Sequence, residues 1–338
     1  MLGDNDKMKI LVTGGLGFIG SNFVRYMVEE PVANVDEIVV VDALKYGSNE
    51  KNLKDLDYNY RFVKGDICNY ELMAELVKGV DAIVNFAAET HVDRSISNPY
   101  AFIESNVIGT YTILEAIRKA NPDARLVHIS TDEVYGDIAE GSFKEDDMVR
   151  PSSPYSASKA SADTFVLAYV RTYGLDAVIT RCTNNYGMYQ FPEKLIPKTI
   201  IRAKINMKIP IYGTGKNVRD WIYVKDHCGA INLVLEKGER GEIYNISSGE
   251  ERTNLEVVSE ILRIMNKPDL IEFVEDRPGH DVRYSLDSSK IRGMGWKSKH
   301  SFKEGLKETV EWYLENEWWW KPLADERLLH PTPWKLRW

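Results

Sequence analysis

Cysteine is scarce: Cys68, Cys182 and Cys228 lie far apart and form no C-x-x-C pair. Three such thiols neither frame a disulfide scaffold nor build a zinc site, so a reducing cytoplasm is the expected compartment. The six histidines show no H-E-x-x-H spacing, and no metal is assigned. No stretch approaches the ~20 apolar residues of a membrane span, and the opening Met1-Leu2-Gly3-Asp4-Asn5-Asp6-Lys7 lacks the apolar segment of a signal peptide. Positive charge is in deficit, 43 Lys and Arg against 51 Asp and Glu, a formal net charge of -8. That balance argues against a broad nucleic-acid footprint, and any anionic ligand must be gripped by local Lys and Arg. There is no repeat and no low-complexity tract. What remains, 43% hydrophobic and 28% charged over 338 residues, is an ordinary globular composition, long enough for one large domain or two modest ones.

In the first 180 residues short β-branched runs alternate with amphipathic stretches. Residues 9–12, 37–41, 61–64, 82–86, 125–130 and 176–181 read as strands, several of them apolar throughout, as strands buried on both faces are. Between them, 19–29, 71–77, 100–119 and 154–173 carry helical spacing. Alternation of this kind implies right-handed βαβ units and an α/β fold with a doubly wound, Rossmann-like parallel sheet. After residue 184 Pro and Gly punctuate the chain more often, but 226–235 and 243–246 look like one more helix and strand returning to the sheet. The expected division is a nucleotide-binding domain of 1–183 plus about 221–247, and a second, smaller α/β domain of 184–220 plus about 248–338. The Trp-rich tail from Trp318 to Trp338 is expected to pack on the body, since so many exposed indoles would be a liability.

Directly after the first strand, Thr13-Gly14-Gly15-Leu16-Gly17-Phe18-Ile19-Gly20 places glycines at 14, 17 and 20 before a helix. Glycine permits the sharp turn and lets a pyrophosphate approach the helix N-terminus. The G-x-x-G-x-x-G spacing departs by one residue from the common dinucleotide fingerprint, and alone it could be a plain turn. Asp42 closes the second strand about 20 residues on, where a carboxylate can hold an adenosine ribose and repel a 2′-phosphate, favouring NAD over NADP. The same aspartate could instead merely open a loop.

Tyr155 and Lys159 are four residues apart, on one face if the segment is helical. The same spacing recurs at Tyr60/Lys64 and Tyr212/Lys216, but only Tyr155/Lys159 has a helix start before it, in Pro151-Ser152-Ser153-Pro154. A phenol of pKa about 10 is a poor base at neutral pH; the ammonium of Lys159 and a nicotinamide cation would favour the phenolate. The fifth strand runs into Ser130-Thr131-Asp132-Glu133 at the sheet's carboxyl edge, where ligands bind. Two carboxyls in one closed site split into an acid and a base, although an Asp-Glu pair can also be a solvated turn.

Together these residues resemble the extended short-chain dehydrogenase/reductase family, and within it the nucleoside-diphosphate-glucose 4,6-dehydratases, from about Lys9 to Trp320. The likeness extends through Gly65-Asp66-Ile67, Ala87 to Ile96, Asn184-Asn185-Tyr186-Gly187, Gln190 to Pro197, Arg219-Asp220-Trp221 and Arg277-Pro278-Gly279-His280-Asp281. Met188 departs from it, standing where the family usually has proline. The resemblance implies that Tyr155 takes the proton of the sugar 4-hydroxyl, Thr131 bonds the same oxygen, and Lys159 holds the nicotinamide ribose. It further implies Glu133 as base at carbon 5 and Asp132 as acid to the departing 6-hydroxyl. Phe18, Ile19, Asp42, Asp66, Ile67, Ala87 and Ala88 would line the cofactor, with Ser105 and Asn185 near it. The sugar nucleotide, dTDP-glucose by implication, would meet Thr90, Asn184, Lys194, Leu195, Pro210, Tyr212, Arg219, Asn254, Arg277 and His280. Lys194, Arg219 and Arg277 suit a diphosphate, though basic residues are often simply solvated. A homodimer through residues 100–119 and 154–173 is also implied, with Ile103, Val107, Tyr111, Phe165 and Tyr169 on its face.

Three rival readings fit the same residues in part. A sugar-nucleotide 4-epimerase would share fold, NAD and Tyr155/Lys159, but has no use for Asp132 and Glu133. A UDP-glucose dehydratase would match at every reacting residue, and a single methyl on the base discriminates only modestly. A non-catalytic NAD-binding regulator would not need the four reacting side chains together.

Overall fold

A computed structural model describes residues 8–30 and 35–336. The chain opens with β1 (Met8–Thr13), α1 (Phe18–Glu29), β2 (Val35–Asp42), β3 (Arg61–Lys64), α2 (Tyr70–Val77) and β4 (Ala82–Asn85). Two short helices, α3 (Val92–Ser97) and α4 (Pro99–Phe102), lead into α5 (Gly109–Ala120), β5 (Arg125–Thr131), α6 (Pro154–Tyr173) and β6 (Ala177–Cys182). There follow β7 (Asn184–Tyr186), α7 (Leu195–Lys204), β8 (Ile209–Tyr212), β9 (Val218–Tyr223), α8 (Val224–Lys237) and β10 (Ile243–Ile246). The last elements are β11 (Glu251–Thr253), α9 (Asn254–Ile264), β12 (Ile271–Val274), α10 (Ser289–Gly293), α11 (Phe302–Glu315) and α12 (Glu317–Trp320).

Seven strands form one parallel sheet in the order β10-β6-β5-β4-β1-β2-β3. The apolar runs of β4 and β6 are buried along their whole length, as a sheet covered on both faces requires. One face packs Phe23, Ile231 and Val234 from α1 and α8; the other packs Met73, Ile113 and Val166 from α2, α5 and α6. The strand order reverses between β1 and β4, so a crevice opens there at the carboxyl ends. The smaller lobe holds a three-stranded sheet, β11-β9-β7, packed around Tyr186, Trp221, Tyr223 and Tyr313, and the parallel pair β12-β8, packed with Ile209, Ile211, Val258 and Leu262. The tail closes against this lobe: Trp319, Trp320 and Trp334 are buried, while Trp318 is 46% exposed.

Two expectations need correction. The helix anticipated over 100–119 is interrupted by a π-helical turn, Ile103–Ile108. Its extra residue per turn buries Ser105 and Asn106 toward the crevice. There the Asn106 amide accepts the Glu89 N–H at 2.8 Å and donates to the Glu89 carbonyl at 3.1 Å and the Ser158 hydroxyl at 2.8 Å. Tyr169 is not on the outer face; it is buried, and its hydroxyl donates to Glu115 at 2.8 Å.

Candidate active site

The glycine turn is sterically determined. Gly14 has φ +64°, and a Cβ there would stand 2.7 Å from the Ala87 Cα. One on Gly20 would meet the Gly14 carbonyl oxygen at 2.4 Å, so both positions need glycine for backbone to pass backbone. Gly17 is the N-cap of α1 and offers no side chain, leaving the first N–H groups of the helix for an anion. Asp42 is buried at the end of β2; one carboxylate oxygen accepts the Leu16 N–H at 3.0 Å and the other the Leu44 N–H at 2.8 Å. It therefore ties a loop and lines the cavity at once.

That cavity runs over the switch point. Gly14, Gly17, Phe18, Ile19, Gly20, Asp42, Asp66, Ile67, Ala87, Ala88 and Ser105 line it, and so do Thr131, Asp132, Glu133, Tyr155, Lys159 and Asn185. A second cavity shares Thr90, Glu133, Asn184, Glu193 and Lys194 with it, making one continuous crevice. Leu195, Pro210, Tyr212, Arg219, Asn254, Arg277 and His280 line this outer part. The glycine cradle, the uncapped helix start and the Asp42 carboxylate fit a dinucleotide in the inner part.

Helix α6 begins as its sequence suggests: Ser153 caps it in a reciprocal box with Ser156, and Pro154 occupies the first turn. Tyr155 and Lys159 thereby reach the crevice from one helix face. Lys159 is buried and donates to the Ile129 carbonyl oxygen at 2.6 Å. Burial, then the Glu133 carboxyl, push the Tyr155 phenol well above its ordinary value, with hydrogen bonding to Thr131 opposing. For the protein's own groups alone, burial thus outweighs the influences that lower this phenol.

The carboxyl pair sits where β5 ends, in a turn whose first residues are held by Thr131. Asp132 is 3% exposed. Burial, and next the neighbouring Glu133, raise its carboxyl to about 8, so it is protonated at neutral pH. Its Oδ2 has no hydrogen-bond partner. Burial also raises Glu133, but Arg277, Arg219 and Lys194 oppose the shift and favour its carboxylate. Both carboxyls are raised, but the cations near Glu133 oppose its shift, while Asp132 is pushed up further by Glu133 itself.

The three cations are individually anchored. Arg277 donates to Asp93 at 2.8 Å, Arg219 to the Asp281 carbonyl at 3.0 Å, and Lys194 reaches the Thr90 hydroxyl at 3.4 Å. Several lining residues were missed from sequence. Tyr46 donates to Glu193 at 2.6 Å while Arg94 lies over its ring at 3.6 Å and pairs with Glu89 at 3.0 Å. His91, with a φ of +91°, lies 3.5 Å from the same Glu193. Glu89, His91 and Glu193 stand inside the matching segments, so attention to buried charge there could have found them. Tyr46 and Tyr284, the latter beneath the Arg219 guanidinium at 4.3 Å, sit in loops with no sequence signal of their own. Among the described residues no three His, Cys, Asp or Glu side chains gather as a metal site.

A glycine cradle at the switch point of a parallel sheet, running into a Tyr/Lys pair and a split carboxyl pair, defines a Rossmann-like enzyme of the extended short-chain dehydrogenase/reductase type. The chain belongs to the GDP-mannose 4,6 dehydratase family, whose model matches residues 11–309. It is 51% identical over 324 residues to a dTDP-glucose 4,6-dehydratase of Streptomyces niveus, covering 94% of this chain and 96% of that one. Among solved structures, DesIV (dTDP-glucose 4,6-dehydratase) from Streptomyces venezuelae with NAD and TYD bound is 50% identical, with TM-score 0.90, covering 94% of this chain and 100% of that chain. The dTDP-glucose 4,6-dehydratase of Bacillus anthracis in complex with NAD is 49% identical, with TM-score 0.87 and coverage of 94% and 100%.

Proposed function

We propose that this protein converts dTDP-glucose to dTDP-4-keto-6-deoxyglucose and water, with NAD held in the inner part of the crevice. The observation that carries this reading is the carboxyl pair: Asp132, buried and raised to about 8, stands beside Glu133, whose carboxylate is favoured by the charges of Arg277, Arg219 and Lys194, within the crevice that also presents Tyr155. An epimerase would need no such pair. Bound NAD supplies a reversible hydride acceptor, withdrawing hydrogen from carbon 4 and returning it at carbon 6, and its positive ring adds to the charges that favour the phenolate.

The chain's own groups then divide the proton work. Tyr155 accepts the proton of the 4-hydroxyl, with Thr131 bonding the same oxygen. The resulting ketone acidifies carbon 5, where Glu133 removes the proton, and Asp132 delivers its own to the leaving 6-hydroxyl; when the hydride returns to carbon 6, Glu133 gives its proton back to carbon 5. Arg219, Arg277 and Lys194 take the diphosphate, and Tyr212, Pro210, Asn254 and His280 bound the outer end for the base. Lys159, tied to Ile129, holds the ribose side of the cofactor. Asp42 would repel a 2′-phosphate, which favours NAD over NADP.

The residues divide into a cofactor domain, 1–183 with about 221–247, and a substrate domain, 184–220 with about 248–338; of these, 1–7, 31–34 and 337–338 lie outside the described residues. The protein works as a homodimer. Tyr100, Ile103, Ile108, Tyr111 and Phe165 are exposed apolar side chains on the π-helical turn and the flanking α4, α5 and α6, and Tyr111 and Phe165 touch, which suits a surface covered by a second copy. A cytoplasmic location suits its three unpaired thiols, and none of the described helices is long and apolar enough to cross a membrane. Incubation with dTDP-glucose and separately with UDP-glucose, following loss of one water by mass spectrometry, tests the reading. Faster turnover of UDP-glucose would transfer the assignment to that nucleotide, and inversion without water loss would make the protein an epimerase.

A further inference from the structure

The Trp-rich segment touches the glycine turn through one side chain. Asn52 is 1% exposed, and its Oδ1 accepts the indole N–H of Trp319 at 2.8 Å. Its Nδ2 donates to the Leu16 carbonyl oxygen at 2.9 Å, inside the Gly14–Gly20 turn. That carbonyl also accepts the Asn49 N–H at 3.0 Å, and the Leu16 N–H donates to Asp42 at 3.0 Å. Both polar groups of the Leu16 peptide backbone are thus taken, one by the residue that faces the ribose and one by Asn52.

An asparagine amide can turn over and exchange its donor and acceptor ends. An indole N–H can only donate, so Trp319 requires the amide oxygen to face it, and the amide nitrogen must then face Leu16. Trp319 is itself 1% exposed and wedged among Tyr189, Trp312 and Tyr313, with ring centroids at 5.7, 5.3 and 6.1 Å. Arg25 fixes the backbone of Asn52 with two bonds to its carbonyl, 3.0 and 2.7 Å. The amide has one permitted orientation. If it turned over, its oxygen would confront the Leu16 carbonyl and two acceptors would be buried against each other.

We infer that Asn52 is a positioning residue for the dinucleotide, and that the Trp319 indole N–H sets its amide so that the Leu16 peptide holds the glycine turn and Asp42 in binding geometry. The C-terminal segment thereby governs how tightly the cofactor is retained. The inference rests on the reading of the inner cavity as an NAD site.

Two variants of the full chain test it. Trp319→Phe keeps an aromatic ring in the wedge and removes only the donor that orients the amide. Asn52→Asp keeps an acceptor for Trp319 and replaces the donor to Leu16 with a carboxylate oxygen. Protein is stripped of nucleotide and titrated with NAD+ by calorimetry, and the thermal midpoint of the stripped protein is measured alongside. The dissociation constant for NAD+ should rise roughly 3- to 10-fold in Trp319→Phe and at least as much in Asn52→Asp, the worth of about one hydrogen bond. Turnover at saturating NAD+ should return to the wild-type value. A lowered thermal midpoint with NAD+ affinity within twofold of wild type, in whichever variant folds, would reduce Asn52 and Trp319 to packing and overturn the inference. Wild-type protein that binds no NAD+ would instead fail the reading of the cavity.

Discussion

The hydroxyl of Thr131 donates to Oδ1 of Asp132 across 3.1 Å, and its oxygen accepts the Glu133 N–H at 3.3 Å. Thr131 thus sets the conformation of both carboxyl-bearing residues, although the hydrogen bond lowers the Asp132 carboxyl less than burial raises it.

A pH dependence with a definite sign follows. Asp132, raised to about 8, carries its proton below that value and loses it as pH rises through it, so its service as an acid fades on the alkaline side. Glu133 is also raised, and its service as a base fades as pH falls through its own value. The profile of kcat/KM should be bell-shaped with an alkaline limb near 8. Asp132→Asn should abolish that limb and lower the rate about 10²- to 10⁴-fold. An unchanged alkaline limb in the variant would assign it to another group.

Asp42 should prove structural and functional together. Asp42→Ala leaves the N–H groups of Leu16 and Leu44 without their acceptor, at a cost of about 1–3 kcal/mol each where water cannot replace it. Denaturant titration should show that loss, and NAD released from purified protein should fall. Unchanged NAD retention would remove Asp42 from the cofactor site. Gly14→Ala should be destabilised by about 1–3 kcal/mol, because alanine strains at φ +64° and its methyl would overlap Ala87.

Most of the sheet was legible because strands buried on both faces write their apolar character without interruption; Ile243–Ile246 and the start of α6 fell where their residues suggested. The glycine turn and Tyr155/Lys159 were legible for a related reason: each is a local pattern whose geometry follows from one element. What stayed hidden depends on separated segments meeting. The π-helical turn at Ile103–Ile108 accompanies bonds of Asn106 with Glu89 and Ser158, residues 17 and 52 positions away, which spacing along the helix does not show. The Tyr46–Glu193 and Asp93–Arg277 pairs join residues more than a hundred positions apart, and no local pattern announces them. Tyr169 looked like a surface aromatic until Glu115 supplied an acceptor under it.

The exposed apolar surface at Tyr100, Ile103, Ile108, Tyr111 and Phe165 should disappear in a dimer. Tyr111 and Phe165 touch edge to face with centroids at 6.3 Å, so charges placed there would be buried at an interface without partners. The double variant Tyr111→Glu with Phe165→Glu should be monomeric by light scattering at micromolar concentration, where the wild type should give twice the chain mass. A monomeric wild type would leave these residues for another partner.

If, as proposed, Tyr155 and the carboxyl pair act on different atoms of the sugar, oxidation and elimination should be separable by mutation. Tyr155→Phe removes the base at the 4-hydroxyl, so every later event, including solvent deuterium entry at carbon 5, should slow together by about 10²- to 10⁴-fold. Glu133→Gln leaves Tyr155 in place and should still give the 4-ketone, trapped by reduction with borodeuteride, while deuterium enters carbon 5 slowly and water is retained. Asp132→Asn keeps the carbon-5 base and loses only the proton for the leaving group, so deuterium should enter carbon 5 faster than water departs. In the wild type, deuterium placed at carbon 4 of dTDP-glucose should appear at carbon 6 of the product. If Glu133→Gln dehydrates at the wild-type rate, or the carbon-4 label is lost to solvent, the division of labour between Tyr155 and the carboxyl pair is wrong.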